Sequence, residues 1–290
     1  MKLAIAFKLG RISNLPTVWS NVLAGTLLAG SATVDARLAL LLAALSLFYV
    51  GGMFLNDAFD REFDARSRPE RPIPSGQTTA AEVFAFGFGM LAIGLALVAW
   101  TGFGFAPYTG WRPVFAGVAL AAVIVFYNAY HKDNPLSPLV MGLSRMLVYV
   151  TAGFAVARVL PAGLYLAAGV LLCYLIGLTY AAKQEHLNRL GSIWPLAFLA
   201  VPFVYGIWLS VAHPVALLIL VPFAGWVLHA VRLLARREKG DVPRAVVSLI
   251  AGISLLDAML LAGHGAWMLA LLAVLAFGLT LVLQRWVSGT

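Results

Sequence analysis

Asn56, Asp57, Asp60 and Asp64 stand at the inner end of the second long apolar run, in the stretch Asn56-Asp57-Ala58-Phe59-Asp60-Arg61-Glu62-Phe63-Asp64. Five of the twelve acidic residues of the chain lie between positions 57 and 70. On a helix, positions 56, 60 and 64 step by about 40° each, and position 57 falls within the same arc of about 100°. One amide and three carboxylates therefore point one way. Carboxylates that close repel unless cations sit among them, and hard divalent cations such as Mg²⁺ take carboxylate oxygens together with substrate phosphates. Arg66, Arg68 and Arg71 follow at once with the fork geometry that suits phosphate, and Pro69, Pro72 and Pro74 stiffen the loop that carries them. A metal-bridged diphosphate is the ligand this pattern fits; a solvated helix end with mixed charges is the plainer alternative.

The elements that must position these residues are membrane helices. Of 290 residues, 62% are hydrophobic and 11% charged, with a mean hydropathy of +0.91, which is too apolar for a soluble domain. Apolar runs near 20 residues, without period-2 alternation, exclude an outer-membrane barrel. They imply an all-α, polytopic transmembrane helical bundle forming a single domain over residues 1–290. Expected spans are 14–33, 38–58, 80–102, 113–130, 137–157, 162–183, 193–212, 214–234, 244–262 and 266–286. The break at Gly263-His264-Gly265 decides between nine spans and ten. The single cysteine, Cys173, lies inside a span, so no internal disulfide forms. Met1 to Arg11 reads as a short basic lead-in, not a cleaved signal.

The net charge of +8 follows from topology and implies no nucleic-acid partner. Of the 20 Lys and Arg, 16 fall on segments that share a side with the N-terminus, and three (Arg37, Arg112, Arg158) fall on the other. By the positive-inside rule, the N-terminus, Asn56–Gly76 and Lys183–Arg189 face the cytoplasm. The expected setting is the cytoplasmic membrane, with lipid as surroundings. Arg145 is left within the fifth span, where a charge is costly and faces a cavity or a carboxylate. Asn21 and Asn128 either serve a site or bond a neighbouring helix. Tyr127, Tyr130, Tyr149 and Tyr180 either line a cavity, where aromatic faces steady a cation, or sit at the interface. Asp257 in the ninth span either pairs with a base or belongs to an acceptor pocket.

The stretch from Asn56 to Asp64, followed by Arg71-Pro72-Ile73-Pro74-Ser75-Gly76, resembles the first signature of the UbiA superfamily of membrane prenyltransferases. It matches N-D-x-x-D-x-x-x-D and then R-P-[IL]-x-x-G at every specified position. Arg11-Ile12-Ser13-Asn14-Leu15-Pro16 with Asn21, Tyr127 to Lys132, Gly142 with Arg145, and Thr179 to Lys183 extend the resemblance over most of the chain. It implies a helical bundle, usually of nine spans, around a central cavity open to lipid. It also implies transfer of a polyprenyl group from a polyprenyl diphosphate to a lipophilic acceptor, aromatic or quinonoid. Carried onto these residues, Asn56, Asp57, Asp60 and Asp64 hold Mg²⁺, while Arg66, Arg71, Lys132 and Lys183 grip phosphate. The catalytic candidates are Asp57, Asp60, Tyr130 and Lys183. Arg11, Asn21, Arg145, Tyr180 and Gln184 join the substrate-binding set.

The family's second motif, D-x-x-x-D after the sixth span, is altered here to Lys183-Gln184-Glu185-His186-Leu187-Asn188-Arg189. Gln184 and Asn188 take the aspartate positions on the face of Tyr180, and each swap removes a negative charge. Glu185 is the remaining carboxylate, about 100° round the helix from Gln184, and with Asn188 completes the expected metal set. His186 is either a ligand or base, or a solvated interfacial residue. Two functions follow. One is Mg²⁺-dependent prenyl transfer. The other is a UbiA-like protein of the EboC type with altered or lost catalysis, binding or exporting a lipophilic or secondary-metabolite precursor. A secondary transporter fits less well, because the ionisable residues crowd one end and not the midplane.

Overall fold

A computed structural model describes residues 1–132, 134–183, 194–287 and 289. These residues form helices, turns and loops. A short exposed helix α1 (Leu3–Leu9) leads into α2 (Leu15–Leu28), and α3 (Ala36–Phe59) runs almost directly into α4 (Arg61–Ser67). Then come α5 (Ala80–Phe103), α6 (Arg112–Tyr130), α7 (Ser137–Val156), α8 (Ala162–Lys183), α9 (Val201–Ala212), α10 (Leu217–Arg236), α11 (Asp241–Ala262) and α12 (Trp267–Leu283). A tight 3₁₀ stretch, Trp194–Ala200, precedes α9.

Eight of the described helical segments are long and apolar enough to cross a bilayer. Helix α2 has 14 residues and α12 has 17, both short of the usual span. Each expected run is occupied by a helix, and the tenth is separate from the ninth. Gly265, at φ 77°, turns the chain between α11 and α12. The first expected span, 14–33, is helical only to Leu28, because Gly30 at φ 95° ends it.

Local chemistry sets the ends of these helices. Asp35 caps α3 by accepting from the Leu38 amide at 3.0 Å, and Thr79 caps α5 by accepting from the Glu82 amide at 3.2 Å. Proline occupies the first turn of α2, α6, α7 and α9, where its missing N–H costs nothing.

Inside a bilayer there is little hydrophobic drive between helices, so close backbone approach matters more. Helices α3 and α5 meet at Gly51 and Gly87: a methyl added to Gly51 would stand 2.9 Å from the Gly87 carbonyl oxygen. Helices α2 and α7 meet at Gly25, where an added methyl would stand 2.8 Å from the Tyr149 carbonyl oxygen. Helix α11 is the most buried of the membrane-spanning segments and packs on α2, α8, α10 and α12. Helices α2, α3, α6, α7, α8 and α11 thereby enclose a cavity of about 720 Å³.

Candidate active site

The joint between α3 and α4 keeps the carboxylates on one face. Backbone bonds run through it without a break, Asp60 N to Asn56 O at 2.9 Å, Asp64 N to Asp60 O at 2.8 Å and Arg68 N to Asp64 O at 2.8 Å. Asn56, Asp60 and Asp64 line the polar end of the cavity. After Ser67 the chain folds back through turns at Arg71 to Gln77, which returns Arg71 to the carboxylates. Its Nη1 lies 2.9 Å from Asp57 Oδ1 and 3.2 Å from Asp64 Oδ2.

Every carboxylate of the triad faces a cation of the protein. Arg11 Nη2 reaches Asn56 Oδ1 and Asp57 Oδ1, both at 3.4 Å. Lys132 Nζ stands 2.9 Å from Asp60 Oδ1, and His131 Nε2 stands 3.5 Å from Asp60 Oδ2. Burial disfavours ionisation of Asp60, but hydrogen bonds from His131 and Lys132, and their charges, outweigh it and hold its carboxyl below the ordinary range. For Asp64 burial wins. With the charges of Asp57 and Asp60 adding to it, burial outweighs Arg71 and raises the carboxyl above its ordinary range. The repulsion expected among packed carboxylates is thus relieved by the protein's own Arg, Lys and His side chains.

Asp57 differs from its neighbours. It is buried and does not line the cavity; it fixes Arg11 and Arg71, which do. Arg11 is held with backbone φ 42° and ψ 49°, a left-handed conformation rare outside glycine and common at functional sites. Its carbonyl accepts a hydrogen bond from Tyr49 Oη at 3.2 Å. The amide of Asn56 donates to Asn128 Oδ1 at 3.2 Å, and Asn128 donates to the Gly52 carbonyl at 2.9 Å. Lys183 lines the cavity with its Nζ on the Asn134 carbonyl at 2.8 Å and Ser137 Oγ at 2.9 Å.

Deeper in the cavity the wall is apolar, with Leu45, Phe48, Leu120, Val148, Leu175 and Ile253. Arg145 interrupts it. Its Nη1 donates to Asn21 Oδ1 at 2.9 Å, its Nη2 to Thr17 Oγ1 at 3.1 Å, and the guanidinium lies 5.5 Å from the centre of the Tyr49 ring. Asn21 itself is fully buried behind the wall.

Several expected site residues stand elsewhere. Tyr130 is 63% exposed and packs on Phe126, while Tyr127, stacked on His131, lines the cavity. Arg66 is exposed and outside the wall, which Arg68 lines instead. Tyr180 is outside the wall as well. Gln184, Glu185 and Asn188 fall outside the described residues. Tyr127 thus takes the cavity-lining alternative given for it, and His131 joins the wall without having been singled out by the sequence, although its spacing carries a signal. Leu120, Ile124, Tyr127, Asn128 and His131 recur at helical spacing and share one face of α6, whereas Tyr130 lies about 100° from the middle of that face.

Among the described residues, no three His, Cys, Asp or Glu side chains close into a ready cation cage. The donor set fits Mg²⁺ shared with a phosphate ligand. Asn56, Asp60 and Asp64 offer hard oxygens from one side, and Arg11, Arg71 and Lys132 are cations able to turn from carboxylate to phosphate.

The signature, the cavity and the bundle agree with what the chain matches. Residues 18–250 fit the model of the UbiA prenyltransferase family. The chain belongs to that family. It is 38% identical to the digeranylgeranylglyceryl phosphate synthase of Ignicoccus hospitalis over 126 residues, 43% of this chain and 38% of that one. The chain thus spans little more than a third of that relative's length. To the synthase of the same description from Methanopyrus kandleri it is 26% identical over 271 residues, 90% of this chain and 89% of that one. Among solved structures, the fold is shared with a UbiA homologue from Aeropyrum pernix, at TM-score 0.67 and 18% identity, covering 89% of this chain and 98% of that one. It is shared too with a UbiA homologue from Archaeoglobus fulgidus bound to GPP and Mg²⁺, at TM-score 0.52 and 13% identity, covering 97% and 99%. This UbiA-family chain is an integral, multi-pass membrane protein.

Proposed function

We propose that this protein transfers a polyprenyl group from a polyprenyl diphosphate to a lipophilic acceptor, with Mg²⁺ at the carboxylate end of the cavity. The observation that carries this reading is the pairing of three carboxylates with a ring of Arg, Lys and His at the polar mouth of an otherwise apolar cavity. A prenyl diphosphate has that same division, with charge at one end and hydrocarbon at the other. The polar end and the N-terminus face the cytoplasm in this reading, because basic residues collect there.

When bound, Mg²⁺ would supply charge stabilisation for the leaving group. Asn56, Asp60 and Asp64 would hold it, with Asp57 keeping Arg11 and Arg71 in place. Arg71, Arg11 and Lys132 exchange carboxylate oxygens for phosphate oxygens when the diphosphate enters. The allylic C–O bond then breaks with its electron pair going to diphosphate, and these cations oppose the charge that develops on it. The apolar wall keeps water from the allylic carbon, and the rings of Tyr49 and Tyr127, which line the cavity, steady the positive charge that develops there. The acceptor's electron-rich atom forms the new bond to carbon, and its proton passes to the released diphosphate. Support for the donor comes from the relative solved with GPP and Mg²⁺. The names of the curated relatives add a lipid phosphate to the quinonoid and phenolic acceptors worth testing.

The test uses purified protein in detergent with Mg²⁺, geranylgeranyl diphosphate and a panel of quinonoid, phenolic and lipid-phosphate acceptors. Release of diphosphate with formation of a prenylated product is expected, and Asp60→Ala abolishes it. Binding of the diphosphate without release across the whole panel would overturn the enzymatic reading and favour a lipid-binding or export role.

A further inference from the structure

Arg145 stands apart from the other cations that line the cavity. It lies eight residues into α7 from Ser137, about 12 Å along the helix at 1.5 Å per residue, and Ser137 is the residue that Lys183 contacts at the polar end. The opposite wall gives a similar depth. Tyr49, whose ring the guanidinium covers, precedes Asn56 by seven residues, about 10 Å along α3. Arg145 is thus set inward of the carboxylates, among Leu45, Val148, Leu175 and Ile253.

A polar staple between two helices would spend its donors on those helices. Arg145 does so with Nη1 and Nη2 only; its Nε has no hydrogen-bond partner among the described residues, and the residue lines the cavity. Behind it lies a carboxyl group that does not reach the cavity wall. Asp257 is fully buried on α11, and its Oδ2 accepts from Ser20 Oγ at 2.5 Å and from Asn21 Nδ2 at 2.7 Å. Its Oδ1 accepts from Tyr149 Oη. The Asn21 side chain therefore stands between the two groups, its Nδ2 donating to Asp257 and its Oδ1 accepting from Arg145. The carboxyl group sits behind the wall, and the guanidinium lines the cavity. A charge inside a membrane protein is costly, and one so supported marks a binding function.

We propose that Arg145 reads an anionic head, a phosphate monoester or a carboxylate, on the lipophilic acceptor, and that Asp257 is the positioning residue that aims it through Asn21. This rests on the prenyl-transfer reading, since it assigns the deep cation to the acceptor and leaves the polar end to the diphosphate.

The test is equilibrium binding to detergent-purified protein, without prenyl diphosphate and without turnover, so it is read independently of transfer. Two matched pairs serve as probes: an alkylglycerol phosphate with its alkylglycerol, and 4-hydroxybenzoate with its methyl ester. The parent protein should bind the anionic member of at least one pair about ten- to a hundredfold more tightly than the neutral one, and the pair that responds tells phosphate from carboxylate. Arg145→Met should bring that ratio to about one with neutral binding unchanged. Arg145→Lys should keep part of it, which guards against a variant that merely misfolds. Asp257→Asn should lower the ratio, an effect that loss of packing alone does not produce. In each variant the affinity for geranylgeranyl diphosphate should hold. A ratio of one in the parent, a ratio that survives Arg145→Met, or a diphosphate affinity that falls with Arg145 would each overturn the proposal.

Discussion

Arg71→Ala removes the cation that bridges two carboxylates, and its consequences can be worked from the geometry. Asp57 keeps Arg11 at 3.4 Å, but Arg71 is the ion-pair partner of Asp64 among the described residues, and Asp64 is 2% exposed. Breaking a buried pair by removing one partner costs about 3–5 kcal/mol. Asp64 escapes part of that by taking up a proton, since burial already raises its carboxyl, so a loss of about 2–3 kcal/mol is expected. For a chain of this size that corresponds to a fall of roughly 3–5 °C in melting temperature. Mg²⁺ should then act differently on the two proteins. In the parent it competes with Arg71 for the same oxygens, whereas in the variant it meets them uncovered. A ligand at about 100 times its dissociation constant adds about 2.7 kcal/mol, enough to recover most of the loss. The assay is thermal unfolding in detergent with and without Mg²⁺, beside binding of a prenyl diphosphate analogue, which should weaken about tenfold or more through the lost charged hydrogen bond. If Arg71→Ala melts with the parent and responds to Mg²⁺ no more strongly, Arg71 does not offset the charge of Asp57 and Asp64.

Two further predictions concern packing and aim. Gly51→Ala would press its methyl to 2.9 Å from the Gly87 carbonyl oxygen, backbone against backbone, so a cost of about 1–3 kcal/mol is expected. Gly89→Ala, with nothing within 4 Å of the added methyl, should melt within about 0.5 kcal/mol of the parent. Equal melting of the two variants would contradict the close α3–α5 contact. Tyr130→Phe should leave turnover within about twofold of the parent, while Tyr127→Leu should slow it about tenfold or more by removing a ring from the cavity wall. Turnover assays with the acceptor that responds decide between them, and a large loss in Tyr130→Phe would return that residue to the site.

Much of this arrangement was legible in the sequence, because a helix converts spacing into direction. Asn56, Asp60 and Asp64 share a face by their i, i+4 steps, and the joint at Asp60 preserves them because its backbone bonds do not break. The same arithmetic applied to α6 puts Tyr127 and His131 on the inward face and Tyr130 off it, whereas Tyr130 enters the catalytic set through the resemblance alone. Arg66 is a similar case, since it stands about 200° round α4 from Asp64. What spacing could not show is the path of irregular chain. The turns after Ser67 bring Arg71 back to Asp57 and Asp64, and the bend at Arg11 aims its side chain at Asn56. Neither is periodic. Asp57 illustrates the limit of an arc as a guide, because it lies within the shared 100° yet at its edge, where it meets Arg11 and Arg71 and not the cavity.

The same contrast bears on how the site tolerates its altered second motif. By sequence, aspartates at positions 184 and 188 would add two negative charges to the segment that follows Lys183, and the protein would need more cations to hold them before metal arrives. Among the described residues, the cations of Arg11, Arg71 and Lys132 already meet Asp57, Asp60 and Asp64, with His131 Nε2 3.5 Å from Asp60. Restoring both aspartates should therefore tighten Mg²⁺ binding, as more carboxylates favour a hard cation, while lowering the melting temperature of the metal-free protein through added repulsion. The balance among charges at the polar end is a property of the whole ring, and the first motif with its protein cations is sufficient to set half of it.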